Sequence, residues 1–305
     1  MKGLLRALAG TAIVCVIVII ISITIGVFRL AVSGGGGGSR EDHVAVINLE
    51  GIILESSDFL RKVDEVTDNE YAKAVVVRID SPGGVVGPSQ EFFESLKKLD
   101  EKKPVIISMG AVAASGGYYA ALGGRKIYAN PGTLTASIGV IMEFVNTEKL
   151  YNWAKIERMT LKAGKLKDVG NPNRPMKPEE KAFINTLLAD IHAQFRTAVQ
   201  SRRGLSEAEM ETATDGRIMS GEQALKAKLV DALGGIADAI AEARSAAKLP
   251  EDAPVHYPRP PKGMVEKYFF GETLSGIGEV MGLLKSTQPF ALRSGWQVLL
   301  LAPLY

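Results

Sequence analysis

The sequence is poor in cysteine and histidine, and both shortages exclude kinds of chemistry. The single cysteine, Cys15, lies inside an apolar N-terminal run. An intramolecular disulfide and a cysteine-ligated zinc site are therefore excluded. The three histidines, His43, His192 and His256, show no metal-ligand spacing. We therefore expect neither a metal ion nor another cofactor.

The sequence also lacks a strong excess of charge of either sign. It has 36 Lys and Arg residues against 34 Asp and Glu residues, a formal net charge of +2. The basic residues form no dense block of the kind that binds a phosphate backbone. A nucleic-acid partner is therefore not expected.

One long hydrophobic run stands at the N-terminus. Ala7–Phe28 is apolar apart from a few small polar residues, and its roughly 22 residues are long enough to cross a bilayer as a helix. A cleaved signal peptide usually has a shorter apolar region of about 7–15 residues. Lys2 and Arg6 precede the run, which favours an N-terminus inside and a body outside. We predict a retained anchor over residues 1–32.

Composition divides the rest of the chain into three parts. Residues 33–42 include a run of five glycines between serines, which predicts a flexible linker. Residues 43–248 alternate between strand and helix patterns and predict one folded domain. Residues 249–305 begin with clustered prolines and continue with weak patterning. This extension is expected to be mobile or to pack on a neighbouring subunit.

Hydrophobic periodicity within residues 43–248 predicts a sheet covered by helices, an α/β fold. A loop of small residues is expected over Gly110–Ser115. The predicted strands are His43–Leu49, Gly51–Leu54, Ala74–Ile79, Pro104–Ser108, Lys126–Ala129, Ala136–Ile141 and Arg158–Lys162. The predicted helices are Asp58–Val66, Pro88–Leu99, Gly116–Leu122, Thr147–Ala154, Pro178–Arg203, Ser206–Ala213, Gly221–Ala227 and Gly235–Ala247.

Two glycine-bearing turns follow two consecutive buried strands, at Asp80–Gly84 and at Ala113–Gly117. In a parallel sheet such turns meet at the carboxyl edge of the strands, where ligands bind. Ser115 would place its hydroxyl at a helix N-terminus, beside unpaired backbone N–H groups that suit an oxyanion. Gly84 can bring its own N–H close because it has no Cβ. The pair of turns predicts a nucleophilic serine.

A serine nucleophile needs a base, and none of the histidines is well placed to serve. A lysine can replace histidine where burial lowers the amine pKa enough to leave the neutral form. The candidates are Lys162, Lys165 and Lys167. Composition does not choose among them.

The order of motifs over residues 43–247 resembles the signal peptide peptidase A family in its short bacterial form. The motifs are Ser81-Pro82-Gly83-Gly84, Ala114-Ser115-Gly116-Gly117-Tyr118-Tyr119, Gly132-Thr133-Leu134-Thr135-Ala136-Ser137-Ile138-Gly139, Lys167-Asp168 and Asp215-Gly216-Arg217.

The resemblance implies roles for five residues. It makes Ser115 the nucleophile and Lys167 the general base, and so selects among the three lysines. It makes Ser137 the hydroxyl that orients the lysine amine. It assigns the oxyanion hole to the N–H groups of Gly84 and Gly116. It also implies a ClpP/crotonase-like fold.

The same resemblance implies a setting and a substrate class. The family's members are expected at the bacterial inner membrane, with one span and the catalytic domain on the extracytoplasmic side. They are expected to form a ring, of eight subunits for the short form, in which serine and lysine can come from neighbouring chains. The substrates would be cleaved signal peptides and other small or unfolded peptides. The rival hypotheses are a crotonase-like acyl-CoA enzyme and an inactive membrane scaffold.

Overall fold

A computed structural model describes residues 41–257 and 299–301 of the chain. The predicted anchor over residues 1–32 and nearly all of the predicted linker lie outside these residues. Within the described ranges, no helix is both long and apolar enough to cross a membrane.

The described elements alternate between strand and helix for most of the chain. The strands are β1 His43–Glu50, β2 Ala72–Ser81, β3 Gly83–Val85, β4 Val105–Ala114, β5 Lys126–Ala129, β6 Leu134–Ala136, β7 Ile218–Ser220, β8 Ala232–Leu233, β9 Val255–His256 and β10 Leu299–Leu301. The helices are α1 Ser57–Asp68, α2 Val86–Lys102, α3 Gly116–Ala121, α4 Glu148–Trp153, α5 Pro178–Arg203, α6 Glu207–Ala213, α7 Gly221–Lys226 and α8 Ile236–Ala246.

Eight of the strands form one mixed sheet in the order β7-β6-β4-β2-β1-β9, with β5 and β8 joined to it through β4. Its pairings are parallel except that of β6 with β7. A separate two-stranded antiparallel sheet pairs β3 with β10, and sets Gly84 opposite Leu300. The parallel order brings the carboxyl ends of β2, β4 and β6 to one edge.

Alternate residues of the central strands face two hydrophobic layers, as a sheet covered on both faces requires. Ile47, Val75, Val77 and Ile107 belong to the larger cluster, which includes apolar residues of α1, α2, α3 and α5. Their neighbours in the strands face a smaller cluster that includes residues of α8. The structure confirms the predicted α/β fold, a mixed sheet flanked by helices.

Helix α5 begins and ends where the sequence predicts, at Pro178 and Arg203. Proline fits the first helical position, and Gly204 ends the helix in a left-handed conformation. These end signals are local, so the boundaries could be predicted without knowledge of the packing.

Four predictions about strands are wrong in part or in whole. The strand expected at Ala136–Ile141 shares only Ala136 with the observed β6, which spans Leu134–Ala136. The expected loop at Gly110–Ser115 is largely strand, because β4 runs on to Ala114. The expected strand at Gly51–Leu54 is reduced to a single bridge between Ile53 and Gly84. Arg158–Lys162 forms no strand.

Candidate active site

Ser115 stands at the junction between β4 and α3 in a strained backbone conformation. Its φ is 53° and its ψ is −116°, outside the usual regions for a residue with a Cβ. The junction is fixed on both sides. The Ser115 N–H donates to the carbonyl of Ala136 (2.8 Å), and the Ser115 carbonyl accepts from the N–H of Tyr119 (2.8 Å). Such strain costs about 1–3 kcal/mol and persists where the surroundings hold it in place.

The Ser115 side chain is buried, with 1% of the residue exposed. Its Oγ has no hydrogen-bond partner among the described residues. An unpartnered buried hydroxyl costs about 1–3 kcal/mol, so its retention here requires another reason. A nucleophile whose partner comes from outside this part of the chain would provide one.

Gly84 and Gly116 lie against each other beside Ser115. A Cβ built on Gly116 would lie 3.2 Å from the Gly84 nitrogen and 2.4 Å from the Ser89 Oγ. A Cβ built on Gly84 would lie 2.0 Å from the Ile53 carbonyl oxygen. Neither position has room for a side chain. The two backbone N–H groups predicted to bind an oxyanion thus belong to closely packed segments.

Ser137 follows the strand next to that of Ser115. Ala114 and Ala136 are paired in the register of β4 and β6, so the two serines leave neighbouring strands at the same level. Ser137 is buried, has a φ of 51°, and donates its N–H to the carbonyl of Arg217 (2.8 Å). The structure therefore groups Ser115, Ser137 and the two glycines at one edge of the sheet.

A cleft of about 460 Å³ opens beside Ser137. Its lining is mostly apolar or small, with two ionisable side chains. It is lined by Ser137, Gly139, Val140, Ile141, Leu188, Ala189, His192, Asp215 and Gly216. A cleft of this character next to a serine suits an apolar side chain of an extended peptide.

The three candidate lysines are exposed and lie on the segment between α4 and α5. Lys162 is engaged in an ion pair with Asp168. The amines of Lys165 and Lys167 have no hydrogen bond or ion pair to any described residue. The structure does not bring Lys167 to the hydroxyl of Ser115 within one chain.

The segment that carries Lys167, together with α4 and the chain before it, holds many exposed apolar side chains. Trp153, Met159 and Leu161 are 82%, 86% and 87% exposed. Ile141, Val145, Leu150, Ile156 and Leu166 are also exposed. An apolar surface this extensive is typical of a protein–protein interface.

A cluster of charges follows Lys167, and sequence reasoning missed most of it. The Asp168 carboxylate accepts from Lys162 and from Arg174 (2.9 Å), and Arg174 contacts Glu180 (2.6 Å). These contacts hold the pKa of Asp168 well below its ordinary value, through Lys162 first and Arg174 second. Arg174 also lowers the pKa of Glu180 to about 2.

The histidines are not arranged around the serine. His43 is buried in β1 and its ring contacts that of His256, with centroids 4.3 Å apart and the ring planes tilted by 46°. His192 lines the cleft, and its Nε2 has no hydrogen-bond partner among the described residues. No group of three or more metal-binding side chains occurs in the described part of the chain.

Comparison with known proteins finds similarity to one family of peptidases. The profile of Peptidase family S49 matches residues 97–250. A candidate protease of Synechocystis sp. is 36% identical over 252 residues, which make up 81% of this chain and 91% of that protein. The chloroplastic serine protease SPPA of Arabidopsis thaliana is 35% identical over 70% of this chain, and the match covers 32% of that longer protein.

One solved structure is a distant likeness. A membrane-bound stomatin-specific protease is 19% identical, with a TM-score of 0.46 over 72% of this chain and 99% of that chain. A likeness at this score supports no statement about the function of this chain.

Proposed function

The chain belongs to peptidase family S49 and is a serine-type peptidase, and from this premise we propose a membrane-anchored endopeptidase with a Ser115–Lys167 dyad. The observation that carries the proposal is the buried Ser115 hydroxyl, which is held in a strained turn beside two closely packed glycines. The surrounding fold is proposed to be ClpP/crotonase-like.

The proposed reaction proceeds through an acyl-enzyme. The uncharged amine of Lys167 takes the proton of Ser115 Oγ as this oxygen attacks the peptide carbonyl carbon. The N–H groups of Gly84 and Gly116 donate to the developing oxyanion, each worth about 2.7–4 kcal/mol. The lysine ammonium then protonates the leaving amine as the C–N bond breaks. Water, deprotonated by the same amine, hydrolyses the ester and regenerates the serine.

In this proposal Ser137 orients the amine of the base. Its hydroxyl would accept from the Lys167 amine and hold the amine toward Ser115. The adjacent ends of β4 and β6 support this role, since both serines leave the sheet at one level. An orienting hydrogen bond contributes less to the reaction rate than the nucleophile or the base does. Loss of the Ser137 hydroxyl should therefore reduce peptide cleavage less than loss of Ser115 or Lys167.

We place the two halves of the dyad in different chains of a ring, with eight subunits as the expected number. Two features of the single chain support this arrangement. The Ser115 hydroxyl has no partner among the described residues, and Lys167 is exposed without one. The exposed apolar side chains of the same segment would be covered by a neighbouring subunit. In a closed interface the amine would also lose water, which favours the uncharged form.

The proposed substrates are cleaved signal peptides and other small or unfolded peptides. Strand β3, which contains Gly84, pairs its edge with an extended backbone, that of β10. A substrate peptide would have to take the place of β10 on this edge, and it would then be held by main-chain hydrogen bonds and read by side-chain pockets. The apolar cleft beside Ser137 favours an apolar side chain. The proposed location is the bacterial inner membrane, with the catalytic domain outside.

Three single variants test the dyad. Ser115→Ala and Lys167→Ala should reduce peptide cleavage to background in purified full-length protein. Lys167→Arg should do the same, because a guanidinium stays charged at any usable pH. Cleavage is measured on a mixed peptide library by mass spectrometry, with Lys165→Ala as the matched control. Near-normal cleavage by Lys167→Ala, or loss in Lys165→Ala alone, would overturn the assignment.

A further inference from the structure

The backbone that carries Lys167 is held from its C-terminal side by a chain of charged contacts. Asp168 follows Lys167 directly, and its carboxylate is shared between two cations. Lys162 contacts one oxygen, and Arg174 Nη2 contacts the other at 2.9 Å. Arg174 also donates to the Asp168 carbonyl (3.2 Å), so both the side chain and the backbone of Asp168 are bound.

The same arginine is anchored on helix α5. Its Nη1 and Nη2 donate to the two carboxylate oxygens of Glu180, at 2.8 and 2.6 Å. Glu180 lies in the first turn of α5, is 1% exposed, and also accepts from the Lys177 N–H (2.9 Å). A two-point contact of this kind fixes the plane of the guanidinium as well as its position.

Lys162 binds the segment from the N-terminal side of Lys167. Besides Asp168, its amine donates to the Lys165 carbonyl (2.9 Å). The turn around Lys167 is therefore held at both of its ends, while the Lys167 amine has no hydrogen bond or ion pair in the described part of the chain.

We propose that Arg174 is a positioning residue for Lys167, acting through Asp168 and anchored by Glu180. This inference rests on the proposed function, in which Lys167 is the base. A buried carboxylate on a long helix is a fixed reference point, and Arg174 transmits its position to the residue beside Lys167. Lysine would replace this arginine poorly, because an ammonium cannot span both carboxylates with the same planar geometry.

The expected effect of losing Arg174 falls on turnover and not on substrate binding. Misplacement of a reacting group by about 1 Å can cost about 100-fold in rate. Arg174→Gln should therefore lower kcat by about 10- to 100-fold and leave KM within about twofold. Arg174→Lys should recover part of the lost kcat. Glu180→Gln should lower kcat in the same direction, because it releases the anchor.

Arg203→Gln is the matched control. Arg203 sits at the opposite end of α5, is similarly buried, and makes a two-point contact with Asp231 at 3.0 and 3.1 Å. The Arg203→Gln substitution should lower the melting temperature about as much as Arg174→Gln does, and it should leave kcat unchanged. Equal kcat losses in the two variants would reduce Arg174 to a structural role and overturn the proposal.

Hydrogen exchange separates this proposal from the proposed function. Arg174→Gln should speed amide exchange over residues 164–171 in the full-length protein, whether or not Lys167 is the base. If exchange rises and kcat stays at the wild-type value while Lys167→Ala is inactive, the positioning role is wrong and the dyad stands. If Lys167→Ala is itself active, the dyad is wrong. If exchange is unchanged, the contacts do not hold the turn, and the positioning role fails.

Discussion

At the scale of single residues, the site depends on backbone positions that only particular residues can occupy. Ser115 adopts a positive φ despite its Cβ, and it is held there by hydrogen bonds on both sides. Gly84 cannot carry a side chain, because the Ile53 carbonyl oxygen lies where its Cβ would be. Both restrictions bring backbone N–H groups and a hydroxyl to one point.

Gly84→Ala tests the oxyanion hole at this scale. The added methyl must displace the Ile53 backbone, which moves the Gly84 N–H, so kcat should fall by about 100- to 1,000-fold. Gly87→Ala is the control, because a Cβ at Gly87 would meet nothing within 4 Å. That variant should keep full activity and gain slightly in stability, since alanine suits a helix better than glycine. Kinetics and melting temperature are measured on both, and normal kcat in Gly84→Ala would contradict the assignment.

At the scale of elements, the sequence predicted strands well where apolar residues run together and poorly where small residues do. The strand β4 was expected to end at Ser108, but it continues to Ala114. Gly110, Ala111 and Ala113 have little strand propensity of their own. The extension is supported by contacts distant in sequence. Asp80 accepts from the N–H groups of Ala111 and Val112, and Thr135 donates to the Ala113 carbonyl. Local pattern could not supply these partners.

The error at Arg158–Lys162 has a different cause. Apolar and polar residues alternate there as in a half-buried strand, yet Met159 and Leu161 are almost fully exposed in the single chain. Periodicity indicates that one face will be buried, but it does not say by which chain. The two glycine-bearing turns predicted Ser115 and Gly84, and the family resemblance supplied Gly116, Ser137 and Lys167; all but Lys167 gather at one edge of the sheet. The partner of the fifth, Lys167, could not be predicted from spacing.

The start of α5 should give the protein a specific acid sensitivity. Hydrogen bonds from Arg174 and from the Lys177 N–H hold the pKa of Glu180 at about 2 in the folded chain, below its ordinary value of 4.5. A depressed folded pKa stabilises the fold above pH 4.5, and this contribution is lost as the pH falls toward 2. The melting temperature of Glu180→Gln should therefore lie below wild type at pH 7 and approach it near pH 2.5. The exposed Glu211→Gln serves as control, and a gap for Glu180→Gln that stays constant with pH would refute the linkage.

At the scale of the whole molecule, the described chain is a folded domain that brings together four of the five predicted site residues. The predicted nucleophile and the predicted oxyanion donors lie at the sheet edge, whereas the predicted base stands on a segment whose apolar side chains face outward. Both the unpartnered hydroxyl and the uncovered apolar surface would be satisfied by one event, the docking of a second copy. Catalysis and assembly are therefore expected to depend on each other.

Mixing two inactive variants tests this central claim most directly. Full-length Ser115→Ala and Lys167→Ala proteins, dissociated and reassembled together, should regain peptide cleavage, because some interfaces then join an intact serine to an intact lysine. Each variant reassembled alone should stay inactive. The content of the mixed particles is verified by native mass spectrometry. Mixed particles that contain both variants and cleave no peptide would contradict the account.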